Sequence, residues 1–190
     1  MECRCLRKPF LIPLITLALC LPGPKTSRAD DLRLLSVGIR ASVSGATVLG
    51  DVAPEDFHEY DVVASFGLPW ERYSPSDWGV GTRLMASAGA LRGAGSTAFA
   101  VSLIPVLAFG SRDGRYTLDV GIGGALLSKH RFGAQDYGGP FQFALTLGGG
   151  IPLYKRLGLG YRFLHYSDAG MYGSHTTGAD FHMIEMIYRY

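Results

Sequence analysis

Hydrophobic and polar positions alternate along most of this chain with a period of two residues. Such a period is typical of β-strands whose two faces meet different surroundings. In one run, Leu118 and Val120 lie on one face, while Thr117 and Asp119 lie on the other. The alternation predicts eight strands, each close to the roughly 9–11 residues that a tilted strand needs to cross a membrane. They are residues 34–45, 58–68, 77–89, 98–109, 115–126, 141–151, 157–167 and 180–190.

The polar face of these strands carries charge, which indicates on which side of the sheet the interior lies. Several charges can share one small interior only if they pair with one another. An apolar outer face with a polar inner face is the arrangement of outer-membrane barrels, and eight strands enclose a space that side chains can fill. We therefore predict an all-β fold, an eight-stranded antiparallel transmembrane β-barrel of the outer-membrane type with a filled polar interior. The inward charges are Arg40, Glu59, Asp61, Asp77, Arg83, Asp119, Arg162 and Glu185.

The lengths of the connections agree with this architecture. Outer-membrane barrels have short periplasmic turns and long outer loops. The gaps after the first, fifth and seventh strands are long, and those after the fourth and sixth are short. The gap after the second strand is longer than ideal and that after the third is short. The chain ends in Tyr190, with Tyr188 on the same face, and such an end resembles the signal read by the barrel-assembly machinery, a partner during biogenesis.

Residues 1–29 have the layout of a signal peptide, which leaves residues 30–190 for the barrel. Arg4, Arg7 and Lys8 precede an apolar run that ends near Leu21. The run is too short for a membrane span, which needs about 20 apolar residues. Cys20 leaves a lipoprotein open as an alternative. We expect the mature protein in the outer membrane of a Gram-negative bacterium, after cleavage of the signal peptide.

Charge and cysteine content exclude several classes of function. Of the 18 basic and 16 acidic residues, five and one respectively lie in the leader, so the mature chain has a net charge of −2. This balance gives no indication of nucleic-acid binding. All three cysteines also lie in the leader, so we expect no disulfide and no thiolate chemistry. The histidines do not have metal-ligand spacing, so we expect no metal and no cofactor.

Candidate chemistry lies at the outer end of the seventh strand, where its lipid-facing row turns polar. His165 and Ser167 are two residues apart and share that face, as a general base and a hydroxyl nucleophile must. A hairpin closing over 168–179 would bring Asp180, outward on the eighth strand, beside His165, where it could orient the imidazole. Glu185 has the opposite parity and is expected to pair inside with Arg162 or Arg83. The alternative interpretation is a polar strand rim without catalytic function.

The stretch Tyr161-Arg162-Phe163-Leu164-His165-Tyr166-Ser167-Asp168-Ala169-Gly170, followed by Gly178-Ala179-Asp180, resembles the PagL family of lipid A 3-O-deacylases. That family's motif reads His-x-Ser-Asn-Ala-Gly, with an acid further on that is usually Glu. The resemblance implies a serine esterase that removes the 3-O-linked acyl chain from the lipid A of lipopolysaccharide. It further implies a triad on the outer wall of the barrel, with His165 as the base, Ser167 as the nucleophile and Asp180 as the orienting acid.

The chain departs from the family motif at two positions. Asp168 stands where the family has an Asn that is assigned to the oxyanion hole, and an ionised carboxylate cannot donate a hydrogen bond. Either Asp168 is protonated, or its backbone N–H serves, or activity is reduced. The orienting acid is also shortened from Glu to Asp. A non-enzymatic small outer-membrane barrel with a degenerate site therefore stays open as an alternative, and the oligomeric state could be monomer or homodimer.

Overall fold

A computed structural model describes residues 32–44, 46–49, 56–173 and 175–190. The predicted signal peptide, residues 1–29, lies outside these residues. Eight strands form a closed antiparallel barrel in the order β1-β10-β9-β8-β5-β4-β3-β2, and β6 and β7 form a separate small hairpin. The strands are β1 Arg33–Ser44, β2 His58–Tyr73, β3 Trp78–Gly93, β4 Ser96–Ser111, β5 Thr117–Leu127, β6 Arg131–Phe132, β7 Gln135–Asp136, β8 Phe141–Tyr154, β9 Leu157–Ser167 and β10 Ala179–Arg189.

The barrel confirms the eight predicted membrane strands, and β2 differs most from its predicted length. The strand runs on to Tyr73 although Pro69 interrupts its pattern. A proline cannot donate to the ladder, and the pairing of β2 with β3 is irregular between Gly67 and Glu71 before it resumes. An irregularity of this kind lets a strand continue past a residue that cannot pair. The connection to β3 is therefore a short turn, residues 74–77.

The two ends of the barrel differ in their connections. Short turns at residues 74–77, 112–116 and 155–156 lie at one end. The opposite end carries the connections 45–57, 128–140 and 168–178, together with a tight turn at Ala94 and Gly95, whose φ angles are 46° and 68°. Positive φ at both central residues is what a two-residue hairpin turn requires. The long connections mark the outer end of the barrel.

Buried ion pairs occupy the middle of the barrel, as the inward charges predict. Arg40 donates two hydrogen bonds to Asp61, at 2.7 and 2.6 Å. Arg162 donates to Asp119 and to Glu185, both at 2.7 Å. Glu185 also lies 3.7 Å from Arg40, so the two groups of charges form one layer across the barrel.

Two of the predicted inward charges differ from the rest. Asp77 was placed inside, and that prediction is wrong. The residue lies in the turn before β3, with φ 61°, and pairs on the surface with Arg112 at 3.2 Å, because β3 begins one residue later than its pattern suggests. Arg83 faces inward but is only half-buried, since it lines a cavity of about 510 Å³.

Packing differs between the two halves of the interior. The cavity occupies the periplasmic half, where its walls include Arg83, Arg189 and the buried charge layer. Apolar side chains, most of them aromatic, fill the outer half: Phe57, Leu91, Phe132, Tyr137, Tyr166 and Phe181. The catalytic candidates on the outer ends of β9 and β10 therefore lie over the densely packed half of the barrel. Within the described ranges, no helix is long and apolar enough to cross a membrane.

Replacing Arg162 with Met is expected to destabilise the barrel by about 3–5 kcal/mol, because it leaves the buried carboxylate of Asp119 without its cation and Glu185 with Arg40 alone. The measurement is the free energy of unfolding in detergent or lipid, from urea titration. The matched control is Arg112→Met, whose exposed pair with Asp77 should contribute less than about 1 kcal/mol. Equal effects of the two substitutions would show that the buried layer does not stabilise the fold.

Candidate active site

His165 and Asp180 face each other across neighbouring strands. They are direct register partners on β9 and β10, and partners of this kind place their side chains on the same face of the sheet. His165 Nδ1 lies 2.5 Å from Asp180 Oδ1. Leu164 and Tyr166, on the other parity of β9, are fully buried in the interior. His165 and Ser167 therefore have the parity of residues that point away from the interior.

The second oxygen of Asp180 is held by the first long connection. Asp180 Oδ2 accepts hydrogen bonds from the backbone N–H of Val48 at 2.5 Å and of Leu49 at 2.8 Å. One carboxylate oxygen thus contacts the imidazole while the other contacts the loop, which fixes the orientation of this short acid. Sequence reasoning missed these donors, because a backbone N–H more than 130 positions away leaves no trace in a residue pattern.

Ser167 is the last residue of β9 and pairs with Phe143 on β8. A Cβ built on Gly178 would lie 3.0 Å from His165 Cε1 and 3.5 Å from His165 Nε2. The Nε2 side of the imidazole therefore lies against Gly178, close to the end of β9, where Ser167 is located. No hydrogen bond joins the Ser167 hydroxyl to the imidazole in this part of the described chain. In unliganded enzymes, catalytic hydrogen bonds are often long and tighten only with substrate.

Asp168 organises the loop that follows β9. Its carboxylate accepts hydrogen bonds from the backbone N–H groups of Gly170 and Tyr172, both at 3.0 Å, and from the hydroxyl of Thr176 at 2.9 Å. Burial alone would raise the pKa of Asp168, but these hydrogen bonds outweigh it and lower the pKa below its ordinary value. In all three contacts the side chain is the acceptor, which favours the ionised form over the protonated alternative.

A second loop supports the one that carries Asp168. The side-chain amide of Gln135, on β7, donates to the carbonyl oxygens of Thr177 at 3.1 Å and of Gly178 at 3.2 Å. The backbone N–H of Thr177 donates to the carbonyl of Asp136 at 3.0 Å. The β6–β7 hairpin thus fixes the chain just before Asp180. No pattern in the sequence indicates this role of Gln135, which lies in a stretch without periodicity.

Glu185 lies on the opposite face of β10 from Asp180 and binds Arg162, so it is not next to His165. In the chain as described, no three His, Cys, Asp or Glu side chains form a group that could hold a metal ion. The arrangement that remains is an imidazole oriented by a carboxylate, with a hydroxyl two residues further along the same face. Such an arrangement can perform nucleophilic acyl transfer.

Comparison with known proteins gives a matching family model and similar solved structures, of which two are described here. The family model described as lipid A 3-O-deacylase (PagL) matches residues 58–189, a range that includes His165, Ser167 and Asp180. No curated protein sequence matches significantly.

The crystal structure of the outer membrane enzyme PagL superimposes with a TM-score of 0.64 at 21% identity, covering 80% of this chain and 98% of that one. The outer membrane protein Ail of Yersinia pestis, in a phospholipid nanodisc, gives a TM-score of 0.45 at 13% identity and covers 82% of this chain and 99% of its own. The first of these shows the same barrel fold.

Proposed function

This chain belongs to the PagL family of lipid A 3-O-deacylases, ester hydrolases of the outer membrane, and from that premise we propose that Ser167, His165 and Asp180 are its catalytic triad, on the outer wall of the barrel. The observation that carries the proposal is the contact of 2.5 Å between His165 Nδ1 and Asp180 Oδ1, on the face that also bears Ser167. The contact orients the imidazole with Nδ1 toward the acid, which leaves Nε2 to serve as the base.

The reaction follows from these roles. Ser167 Oγ attacks the carbonyl carbon of the 3-O ester while His165 Nε2 accepts the hydroxyl proton. The tetrahedral intermediate collapses, His165 returns that proton to the departing 3-hydroxyl of the sugar, and the acyl chain stays on Ser167. Water, deprotonated by His165, then attacks the acyl-enzyme; His165 passes the proton to the departing Ser167 Oγ, and the acyl chain leaves as a 3-hydroxy fatty acid. Asp180 stabilises the imidazolium and does not itself take up a proton.

The outward parity of the triad suits a substrate that is itself a membrane lipid. Lipid A lies in the outer leaflet, and the long connections mark the outer end of this barrel. An ester at that depth can reach Ser167 sideways from the membrane, with its acyl chains along the apolar barrel wall. A triad in the interior would lie under the aromatic packing of the outer half, out of reach of a lipid.

The oxyanion requires a donor other than the side chain of Asp168. That carboxylate accepts from three donors within its own loop, and an ionised carboxylate cannot donate. A backbone N–H of the turn that begins at Asp168 then stabilises the developing negative charge. In this role Asp168 shapes the turn and leaves the donation to the backbone.

The experiment is incubation of the purified, folded barrel with lipopolysaccharide, followed by mass spectrometry of the lipid A and of the released fatty acid. We expect the loss of one 3-hydroxyacyl group and no reaction with lipid A that already lacks its 3-O chain. If several lipid A species stay intact with a barrel that still shows a heat-modifiable shift in detergent gels, the non-enzymatic barrel with a degenerate site becomes the better interpretation.

Replacing Asp168 tests its role in the loop. Asp168→Ala removes all three acceptor contacts and is expected to lower the deacylation rate about tenfold, since small displacements of positioning groups cost rate steeply. Asp168→Asn keeps one acceptor oxygen and should lose less. The pKa of Asp168 is lowered in the folded protein. The contribution of its carboxylate to holding the loop is therefore complete at neutral pH and is lost only as the pH falls through that lowered pKa.

The measurement is fatty-acid release by wild type and both variants between about pH 5 and pH 8. Thr176→Val, which removes one donor to Asp168, is the matched control and should have a smaller effect than Asp168→Ala. A faster Asp168→Asn variant at neutral pH would mean that the carboxylate faces and repels the oxyanion.

A further inference from the structure

A second histidine, His182, fastens the first long connection to the outer wall of the barrel. His182 lies two residues beyond Asp180 on β10. Its Nε2 lies 2.9 Å from the carbonyl oxygen of Ala46, and its Nδ1 lies 2.5 Å from the hydroxyl of Tyr161. A carbonyl oxygen can only accept, so Nε2 carries the hydrogen, and Nδ1 of the neutral ring accepts from Tyr161. The two neighbours thus fix the tautomer and the plane of His182.

The segment that His182 holds is the one that holds Asp180. Only Thr47 separates Ala46 from Val48, whose N–H donates to Asp180 Oδ2 together with that of Leu49. Two residues of extended chain span at most about 7 Å, so anchoring the Ala46 carbonyl restricts where these N–H groups can lie. We call residues 46–49 the acid-holding segment.

Hydrophobic packing does not explain why this segment stays in place. The side chains of Val48 and Leu49 are 63% and 55% exposed, so they bury too little apolar surface to fix the backbone. The hydrogen bonds to His182 and Asp180 are described contacts that hold its backbone. Asp180 in turn depends on this segment for its two N–H donors. Loss of the His182 hydrogen bond therefore frees the segment and weakens the hold on Asp180.

We propose that His182 is a positioning residue for the esterase, acting through the acid-holding segment on Asp180 and thereby on His165. The inference rests on the proposed triad and adds to it a residue that touches neither substrate nor base. When the segment detaches, Asp180 Oδ2 loses two donors and the carboxylate is free to rotate away from His165. The base is then misoriented in the transition state, while the binding of lipid A is unaffected, so kcat falls and KM does not change.

The experiment compares kcat and KM of purified variants in mixed micelles containing lipopolysaccharide. His182→Leu removes both hydrogen bonds, whereas His182→Gln retains an N–H donor that can reach the Ala46 carbonyl. Leu49→Pro deletes one of the two backbone N–H donors to Asp180, and Leu49→Ala removes only the side chain. Met186→Leu, outward on the same strand, is the control for a change on the lipid face. A heat-modifiable gel shift verifies that each variant is folded.

We expect His182→Leu and Leu49→Pro to lower kcat about tenfold or more with KM within about twofold of wild type. His182→Gln should recover most of the loss, and Leu49→Ala should lose less than Leu49→Pro. A wild-type kcat for His182→Leu, or equal losses for His182→Leu and His182→Gln, would overturn the inference. Ser167→Ala distinguishes a failure of the proposed triad from a failure of the inference about His182. A fully active Ser167→Ala variant would refute the triad itself, whatever the His182 variants show.

Discussion

Ser167→Ala is expected to lower the rate of lipid A deacylation by a factor of about 10⁶, the largest effect of any single substitution in this protein. Removing the nucleophile of a serine hydrolase triad leaves only substrate binding and oxyanion stabilisation, which is why losses near this size occur elsewhere. The hydroxyl is replaced by hydrogen at the end of β9, where the change leaves the ladder with β8 intact. Fold and stability should therefore be close to wild type.

The measurement is the initial rate of 3-hydroxy fatty acid release at saturating lipopolysaccharide. Ser76→Ala is the matched control, because Ser76 is an exposed serine in the turn at the opposite end of the barrel and its loss should leave the rate unchanged. A Ser167→Ala rate within about tenfold of wild type would show that another group attacks the ester.

Asp180→Ala is expected to lower the deacylation rate by about 10⁴, comparable to the loss when the orienting acid of a serine protease triad is disabled. Without Asp180, His165 loses the partner of its Nδ1, and Val48 and Leu49 lose the acceptor of their N–H groups. The imidazole can then adopt the wrong tautomer or turn away from Ser167. The effect is on kcat, since the carboxylate does not contact the lipid.

Glu185→Ala is the matched comparison on the same strand. Glu185 points inward and binds Arg162, so its loss leaves a buried cation short of a partner and lowers the free energy of unfolding. At equal amounts of folded protein, we expect deacylation near the wild-type rate. If Glu185→Ala impairs the rate more than Asp180→Ala, the assignment of the orienting acid is wrong.

The sequence was sufficient to predict the barrel because its period of two residues is imposed by the membrane. A strand with lipid on one side and a polar interior on the other must carry apolar residues on the first face and polar residues on the second. The same parity argument predicted that Glu185 would pair inside with Arg162 or Arg83, and it binds Arg162. It also placed His165 and Asp180 on one face, and the register of β9 and β10 makes them direct partners.

Features that depend on turns and loops could not be predicted in this way. Asp77 has inward parity if β3 begins one residue earlier, and only the turn geometry moves it to the surface. Gln135 lies outside the barrel strands, so periodicity says nothing of its contacts. The hydrogen bonds of Asp168 could not be foreseen, because its three donors lie within its own irregular loop. The N–H donors to Asp180 come from backbone, which residue identity does not specify.

The two-layered interior has a consequence for the permeability of the cell envelope. In the part of the chain that the structure describes, the charge layer around Arg162 and the aromatic packing above it separate the periplasmic cavity from the outer end of the barrel. We therefore expect no continuous water path from that cavity to the medium. Reconstituted in a planar bilayer, the protein is expected to give no conductance steps. A closed barrel of this kind can reside in the outer membrane without opening a path for solutes across it.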